Sequence, residues 1–230
     1  MLTKKLNIQL VISRYKENIT WIDEIKDLFD SITIYNKGTE DCYCPKNSKI
    51  INLENRGRET QTFLHHIIEN YNFLQEYTHY VFCQGNPFDH CKNFINQIRN
   101  KSNYDLNSFY FRKLGEHQIR FYYEPMETVH PNGLPLMNFF YHLFFDTQLQ
   151  KLMQTRHSMM IIPSSKILFR SINFYKYLFQ YVDKFENPLE GYIIERLWYP
   201  IFDGNTKDWI THYYSQRRKF LGVWNNKSID

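Results

Sequence analysis

Two short stretches concentrate the side chains that can hold or move charge: Asn55-Arg56-Gly57-Arg58-Glu59 and Gln84-Gly85-Asn86-Pro87-Phe88-Asp89-His90. In the first, glycine permits a tight backbone between a strand and a helix, and a helix start offers free N–H groups to an anion. Arg56 and Arg58 add bidentate contacts suited to phosphate oxygens. The competing reading is a plain turn, with Glu59 complementing the helix dipole and both arginines solvated. In the second, Gly85 and Pro87 constrain a loop that follows an apolar strand and presents amide, carboxylate and imidazole groups. Asp89 and His90 are donors for a divalent ion, Mn²⁺ or Mg²⁺. Adjacent residues rarely both reach one ion, so Asp89 as a helix cap and His90 as a packed residue stand beside that reading.

A third group lies near the C-terminus. Glu195, in Gly191-Tyr192-Ile193-Ile194-Glu195-Arg196-Leu197-Trp198, shares a helix face with Glu190, Trp198 and Tyr199. A carboxylate buried beside aromatics has a raised pKa and can serve as a general base. An Arg/Glu surface pair over an apolar face of Ile194, Leu197 and Ile201 is the alternative. His65 and His66 lack an H-E-x-x-H pattern and read as partly buried, hydrogen-bonded residues. G-x-S-x-G, a Walker loop and G-x-G-x-x-G are all missing from the sequence, against the common hydrolase, P-loop and dinucleotide classes.

These groups need a scaffold, and the hydrophobic pattern supplies one. Apolar runs predict strands at Ile8–Ser13, Ser31–Tyr35, Lys49–Leu53 and Tyr80–Cys83. Ile22, Ile25, Leu28 and Phe29 predict a helix over Thr20–Phe29. Phe63, Leu64, Ile67, Ile68, Tyr71 and Leu74 predict another, and Phe94, Ile95 and Ile98 a helix after Asp89. Strands alternating with helices point to a largely parallel sheet. Further on, FYFRKL and QIRFYYE read as strands, Glu124–Gly133 as an ordered loop, Leu136–Leu152 as a helix and His157–Ile162 as a strand. Ser164 or Ser165 caps the next helix, and two more helices, one through Phe174–Tyr181 and one through Tyr192–Leu197, flank an Asn187-Pro188 break.

Composition sets the remaining bounds. At 230 residues and 43% hydrophobic, the chain suits one packed domain. There is no alanine, and the wealth of Ile, Asn, Lys, Tyr and Phe reads as AT-rich coding. The +4 charge is spread among acids, against a nucleic-acid partner; the one cluster, Arg217-Arg218-Lys219, is a solvated terminal helix or a phosphate-binding edge. Cys42-x-Cys44 is too close for an ordinary disulfide and lacks zinc spacing, so the four cysteines read as reduced thiols. The N-terminal apolar run, Ile8–Ile12 interrupted by Gln9, is neither a signal peptide nor an anchor. A cytoplasmic protein is expected, in host cytoplasm or virion if the source is viral.

The runs S-R-Y-x-E (Ser13–Glu17), Y-N-K-G (Tyr35–Gly38), G-R-E-x-x-T-F-L-x-H-I-x-x-x-Y (Gly57–Tyr71), F-x-Q-G-x-P-x-D-H (Phe82–His90) and E-R-L-W (Glu195–Trp198) together resemble the DUF3431 family, known in fungi, other microbes and large DNA viruses. More distantly the chain is similar to glycosyltransferases of the GT-A fold. That likeness implies an α/β, Rossmann-like, mostly parallel sheet flanked by helices, with a helical C-terminal part. It also implies one domain over 1–230: a nucleotide-binding half at 8–100, an acceptor half at 101–205, and a terminal helix and tail at 206–230. The implied reaction moves a sugar from a nucleotide sugar to a hydroxyl on a glycan or protein. Arg14 and Glu17 would border base and ribose, Arg56 and Arg58 would neutralise the diphosphate, Asn55 would join them in donor binding, and Gln84 and Asn86 would position the donor sugar. Asp89 and His90 would hold any Mn²⁺ or Mg²⁺, and Glu195 would be the base if the reaction inverts. Gln84-Gly85-Asn86 stands where those enzymes carry D-x-D. A non-catalytic carbohydrate- or protein-binding domain of the same fold is the second reading. A phosphoesterase using Asp89, His90 and His65 is the third.

Overall fold

The computed structural model describes residues 5–104, 112–113, 121–122, 136–144, 152–153, 158–202 and 208. The four apolar runs of the first 90 residues form β1 (Ile8–Arg14), β2 (Ser31–Asn36), β3 (Ser48–Asn52) and β4 (His79–Gln84), all mutually parallel. Two-residue strands follow at β5 (Arg112–Lys113), β6 (Phe121–Tyr122) and β7 (Leu152–Met153), then β8 (Met160–Pro163). The main sheet runs β3-β2-β1-β4-β8-β5, with β8 antiparallel to its neighbours, while β6 and β7 pair separately. The protein is thus α/β with a mostly parallel sheet flanked by helices.

Strand side chains alternate between faces, and each face here is covered, which explains why the strands are apolar almost throughout. Val11, Tyr80, Phe82, Met160 and Ile162 enter one core, and Leu10, Ile12, Val81, Cys83 and Ile161 the other. Buried polar strand residues find partners: Gln9, 7% exposed, donates from Nε2 to Thr33 Oγ1 at 3.1 Å across β1 and β2. The first face is packed by α1 (Arg58–Glu69), α3 (Leu136–Leu143), α5 (Ile172–Val182) and α6 (Leu189–Phe202). The second is packed by a 3₁₀ segment at Thr20–Glu24 and by α2 (Phe94–Arg99). A short helix α4 (Ser164–Leu168) follows β8.

Several expectations are corrected. Thr20–Phe29 is no α-helix but two 3₁₀ pieces, Thr20–Glu24 and Lys26–Leu28. Ile19, Ile22 and Ile25 are buried at a spacing of three, and the bonds Ile22 N to Ile19 O and Ile25 N to Ile22 O share that step, which is the 3₁₀ period. Helix α1 stops at Glu69 because Asn70 turns its Nδ2 onto His66 O at 2.8 Å, and a 3₁₀ segment carries Tyr71–Glu76. Helix α3 ends at Leu143, and Leu152 belongs to a strand. Ser164 is the first residue of α4, whose N-cap is Pro163; the serine that caps is Ser171, accepting from Phe174 N at 3.3 Å. The expected loop at Glu124–Gly133, His157 and the basic tail at Arg217–Lys219 lie outside the described residues.

Candidate functional site

The order β3-β2-β1-β4 makes the chain wind outward from β1 in one direction and then cross to its other side. At such a reversal the loops leaving β1 and β4 part, opening a crevice beyond the carboxyl ends of the strands. A cavity of about 310 Å³ lies there. Ser13, Arg14, Tyr15 and Glu17 line it from β1, and Lys37 from the end of β2. Asn55, Arg58 and Glu59 come from the entry to α1, Gln84, Asn86, Asp89 and His90 from beyond β4, and Glu186 from the α5–α6 loop. The last rungs of the sheet set Ser13 beside Gln84 on one side and Tyr35 on the other. A second cavity, of about 200 Å³, shares Arg58, Glu59, Gln84 and His90 with the first and adds Tyr192, Glu195 and Arg196.

The β1 loop is held by its own polar groups. Arg14 is 5% exposed and donates to Glu17 O (3.0 Å), Asn36 Oδ1 (2.6 Å), Glu40 O (3.4 Å) and Asp41 O (3.3 Å). Its guanidinium therefore clamps the loops after β1 and β2. Glu17 Oε2 accepts from Tyr15 N at 2.6 Å and Lys16 N at 3.1 Å. Gly38 lets these loops touch: a Cβ there would stand 1.9 Å from Tyr15 O. The β4 loop leans on the same structure, with Trp21 Nε1 donating to Gly85 O at 2.9 Å.

The entry to α1 carries two consecutive left-handed residues, Gly57 (φ 58°) and Arg58 (φ 51°). Glycine is needed at the first, where a Cβ would also meet Val182 O at 2.4 Å. At the second a side chain is tolerated because the turn is fastened. Lys37 Nζ donates to both Arg56 O and Arg58 O at 2.5 Å, and Gly57 N donates to Phe185 O at 2.9 Å. Lys37 is 7% exposed, and burial pushes its pKa down from the ordinary 10.5 to about 7, against the pull of Glu59 and Asp183. The Arg58 guanidinium lies 5.1 Å over the Tyr192 ring and 3.6 Å from Glu59 Oε2. Arg56 is not part of either cavity wall; it forms an ion pair with Glu54.

Beyond β4, the polar groups bond among themselves. Gln84 Nε2 donates to Asn86 O (2.6 Å), Asn86 Oδ1 accepts from Phe88 N (3.3 Å), and Asn86 Nδ2 donates to Asp89 Oδ1 (2.8 Å). The cap is thus Asn86, on a 3₁₀ turn at Pro87–Asp89, and α2 begins only after Asn93. Among the described residues no three His, Cys, Asp or Glu side chains are grouped as a metal cage. Glu195 is 14% exposed, 4.0 Å from Arg196 Nη1. His66 is a core residue: its Nδ1 faces the Tyr35 hydroxyl at 3.0 Å, and burial pushes its pKa down to about 3. His65 packs on Tyr35 and Phe179 and lines neither cavity, so it does not join Asp89 and His90.

Of the site residues expected from sequence, Arg14, Glu17, Asn55, Arg58, Gln84, Asn86, Asp89 and His90 share the first cavity, and Glu195 faces the second. Glu59, in the first of the two charged stretches, lines both cavities, whereas Lys37, Tyr15, Glu186, Tyr192 and Arg196 had no site role read from sequence. Lys37 had a legible signal, since Asn36-Lys37-Gly38 directly follows an apolar strand and must sit at the same sheet edge as the other loops. The four cysteines are free thiols, as their spacing suggested. No helix among the described residues is long and apolar enough to cross a membrane.

Fold and cavity together define an α/β domain with a polar crevice at the switch point of its sheet. The chain belongs to DUF3431, a family of proteins of unknown function whose model matches residues 10–215. No curated protein matches the sequence.

Proposed function

We propose that the crevice binds a nucleotide sugar and that the protein is a glycosyltransferase of GT-A-like fold. One observation carries this reading: Arg58 stands at the junction of the two cavities, with the strand-end crevice on one side and the Glu195 carboxylate on the other. Such an arrangement suits a diphosphate donor in the larger cavity and a hydroxyl acceptor in the smaller. Glu195 takes the acceptor proton as its oxygen attacks the anomeric carbon. The bond from that carbon to the diphosphate oxygen breaks, and its electron pair leaves on the diphosphate beside Arg58. Positioning and stabilisation of the leaving charge supply the rate, each worth several kcal/mol.

Carboxylates outnumber cations along the first cavity, so its walls favour a ligand that brings a divalent cation with it. Mg²⁺ is held by one or two carboxylates plus substrate phosphates. Asp89, with one oxygen engaged by Asn86, fits that minimal role; a Mn²⁺ or Mg²⁺ bound so would neutralise the diphosphate.

The test is thermal stability with UDP- and GDP-sugars, with and without Mn²⁺, followed by release of nucleoside diphosphate. A rise in melting temperature that Arg58→Ala abolishes, with turnover lowered about 10²–10⁴-fold in Glu195→Gln, supports the proposal. No shift with any donor defeats it. The closed hydrogen bonding of Gln84, Asn86 and Asp89 favours a second reading, a carbohydrate- or protein-binding domain of this fold. Donor binding with neither transfer nor slow hydrolysis would select it.

A further inference from the structure

The α1 entry has a feature that a phosphate-binding turn does not require: a lysine buried beneath it. We propose that Lys37 is the floor cation of the crevice and, with Arg58, receives the diphosphate of the ligand by taking up a proton as the ligand binds. This rests on the nucleotide-sugar reading for the identity of the ligand, not for the site itself.

Geometry carries the argument. An ammonium has three donors, and two of those of Lys37 reach Arg56 O and Arg58 O. Its remaining valence has no partner among the described residues, yet the side chain is 7% exposed and lines the cavity. In the neutral amine both carbonyl bonds persist and the remaining valence is a lone pair, which repels an anionic oxygen. In the ammonium it is an N–H, which binds one. The same two carbonyls flank Gly57 and so hold Arg58, the other cation, in its left-handed turn. One proton at Nζ therefore decides whether the crevice floor accepts or rejects an anion.

The charges around Lys37 make that proton responsive. Glu59 and Asp183 favour the ammonium, while burial favours the amine and His65 is itself lowered in part by the Lys37 charge. Asp89, His90, Arg14, Glu17 and Glu186 line the same cavity. With Nζ poised near neutrality, an entering diphosphate replaces water with two fixed negative charges and tips the balance to the ammonium.

The test is calorimetry of the intact protein with UDP-glucose, GDP-mannose and dimethyl diphosphate, with and without Mg²⁺. It is run at pH 6.0 and 8.0 in buffers of different ionisation enthalpy. These diphosphates are esterified at both ends and do not titrate in this range. The expected result is uptake of most of a proton per ligand at pH 8.0 and clearly less at pH 6.0, with affinity falling up to about tenfold per pH unit above the Lys37 pKa. Lys37→Arg, permanently charged, should bind without uptake, and Lys37→Met should lose at least about tenfold in affinity. The wild-type proton count needs no variant to fold. Nucleotide-sugar binding without uptake, or unchanged uptake in Lys37→Arg, overturns the Lys37 role and leaves the transferase reading standing. Binding with uptake but no transfer or hydrolysis keeps Lys37 and overturns the transferase reading. No binding of any probe overturns both.

Discussion

Replacing Lys37 by Met should change how stability depends on pH, with no ligand present. In the folded protein the Lys37 pKa is about 7, and in the unfolded chain it returns to the ordinary 10.5. Between those values the unfolded chain holds the additional proton, so the group makes stability rise with pH across that window. The slope is about 1.4 kcal/mol per pH unit. Over the whole interval the two values allow roughly 5 kcal/mol, reached near pH 10.5 and absent below pH 7. Methionine also deprives Arg56 O and Arg58 O of their donor, a penalty of about 1–3 kcal/mol that does not vary with pH. Urea unfolding of both proteins at pH 6.5, 7.5, 8.5 and 9.5 reads the slope, because titrating groups not coupled to Lys37 cancel in the difference and the coupled His65 titrates at the acid end. The variant should gain on the wild type as pH falls, by about 3 kcal/mol between pH 9.5 and 7. A difference constant across that range would refute the buried, deprotonating lysine.

Other outcomes are as specific. Gly57→Ala sets a Cβ at a φ of 58° and 2.4 Å from Val182 O. It should lower stability by about 2–4 kcal/mol, seen as a lower urea midpoint at unchanged m-value. Arg170→Met breaks a fully buried pair with Asp208 (2.7 Å) and bonds to Ile201 O and Pro200 O near the end of α6. A loss of about 3–5 kcal/mol is expected, with much of it recovered in the Arg170→Met, Asp208→Leu double variant; a loss under about 1 kcal/mol would contradict the burial. His66 has a folded pKa of about 3 against 6.5 unfolded. The unfolded chain then holds the additional proton between those values, so stability drops as pH falls from 6.5, by about 1.4 kcal/mol per unit. His66→Gln should remove that acid limb, measured by urea unfolding between pH 4 and 6.5.

Much of the architecture was readable because it depends on short-range pattern. β1, β2 and β4 are largely apolar runs buried on both faces, and such runs state their conformation locally, while the edge strand β3 is marked by its Ile50-Ile51 pair. Arg58, Gln84, Asn86, Asp89 and His90 were found the same way, as polar loops at strand ends. Ile22, Ile25 and Leu28 misled because a step of three suits a loose reading of either helix type, and hydrogen bonding chose 3₁₀. Arg56 and Arg58, two residues apart, looked equivalent. A left-handed turn sends only Arg58 to the cavity and leaves Arg56 with Glu54.

By itself, then, the sequence determined the four parallel strands, the presence of α1, α5 and α6 and the loops able to carry charge, since hydrophobic period and turn chemistry act over a few residues. Only the tertiary structure decided which charges meet. Lys37 reaches Arg56 and Arg58 across 19 and 21 residues, and Glu195 comes to Arg58 from a helix more than a hundred positions away. Burial by those distant partners sets the lysine's proton affinity, and the low-dielectric surroundings responsible have no counterpart in local sequence.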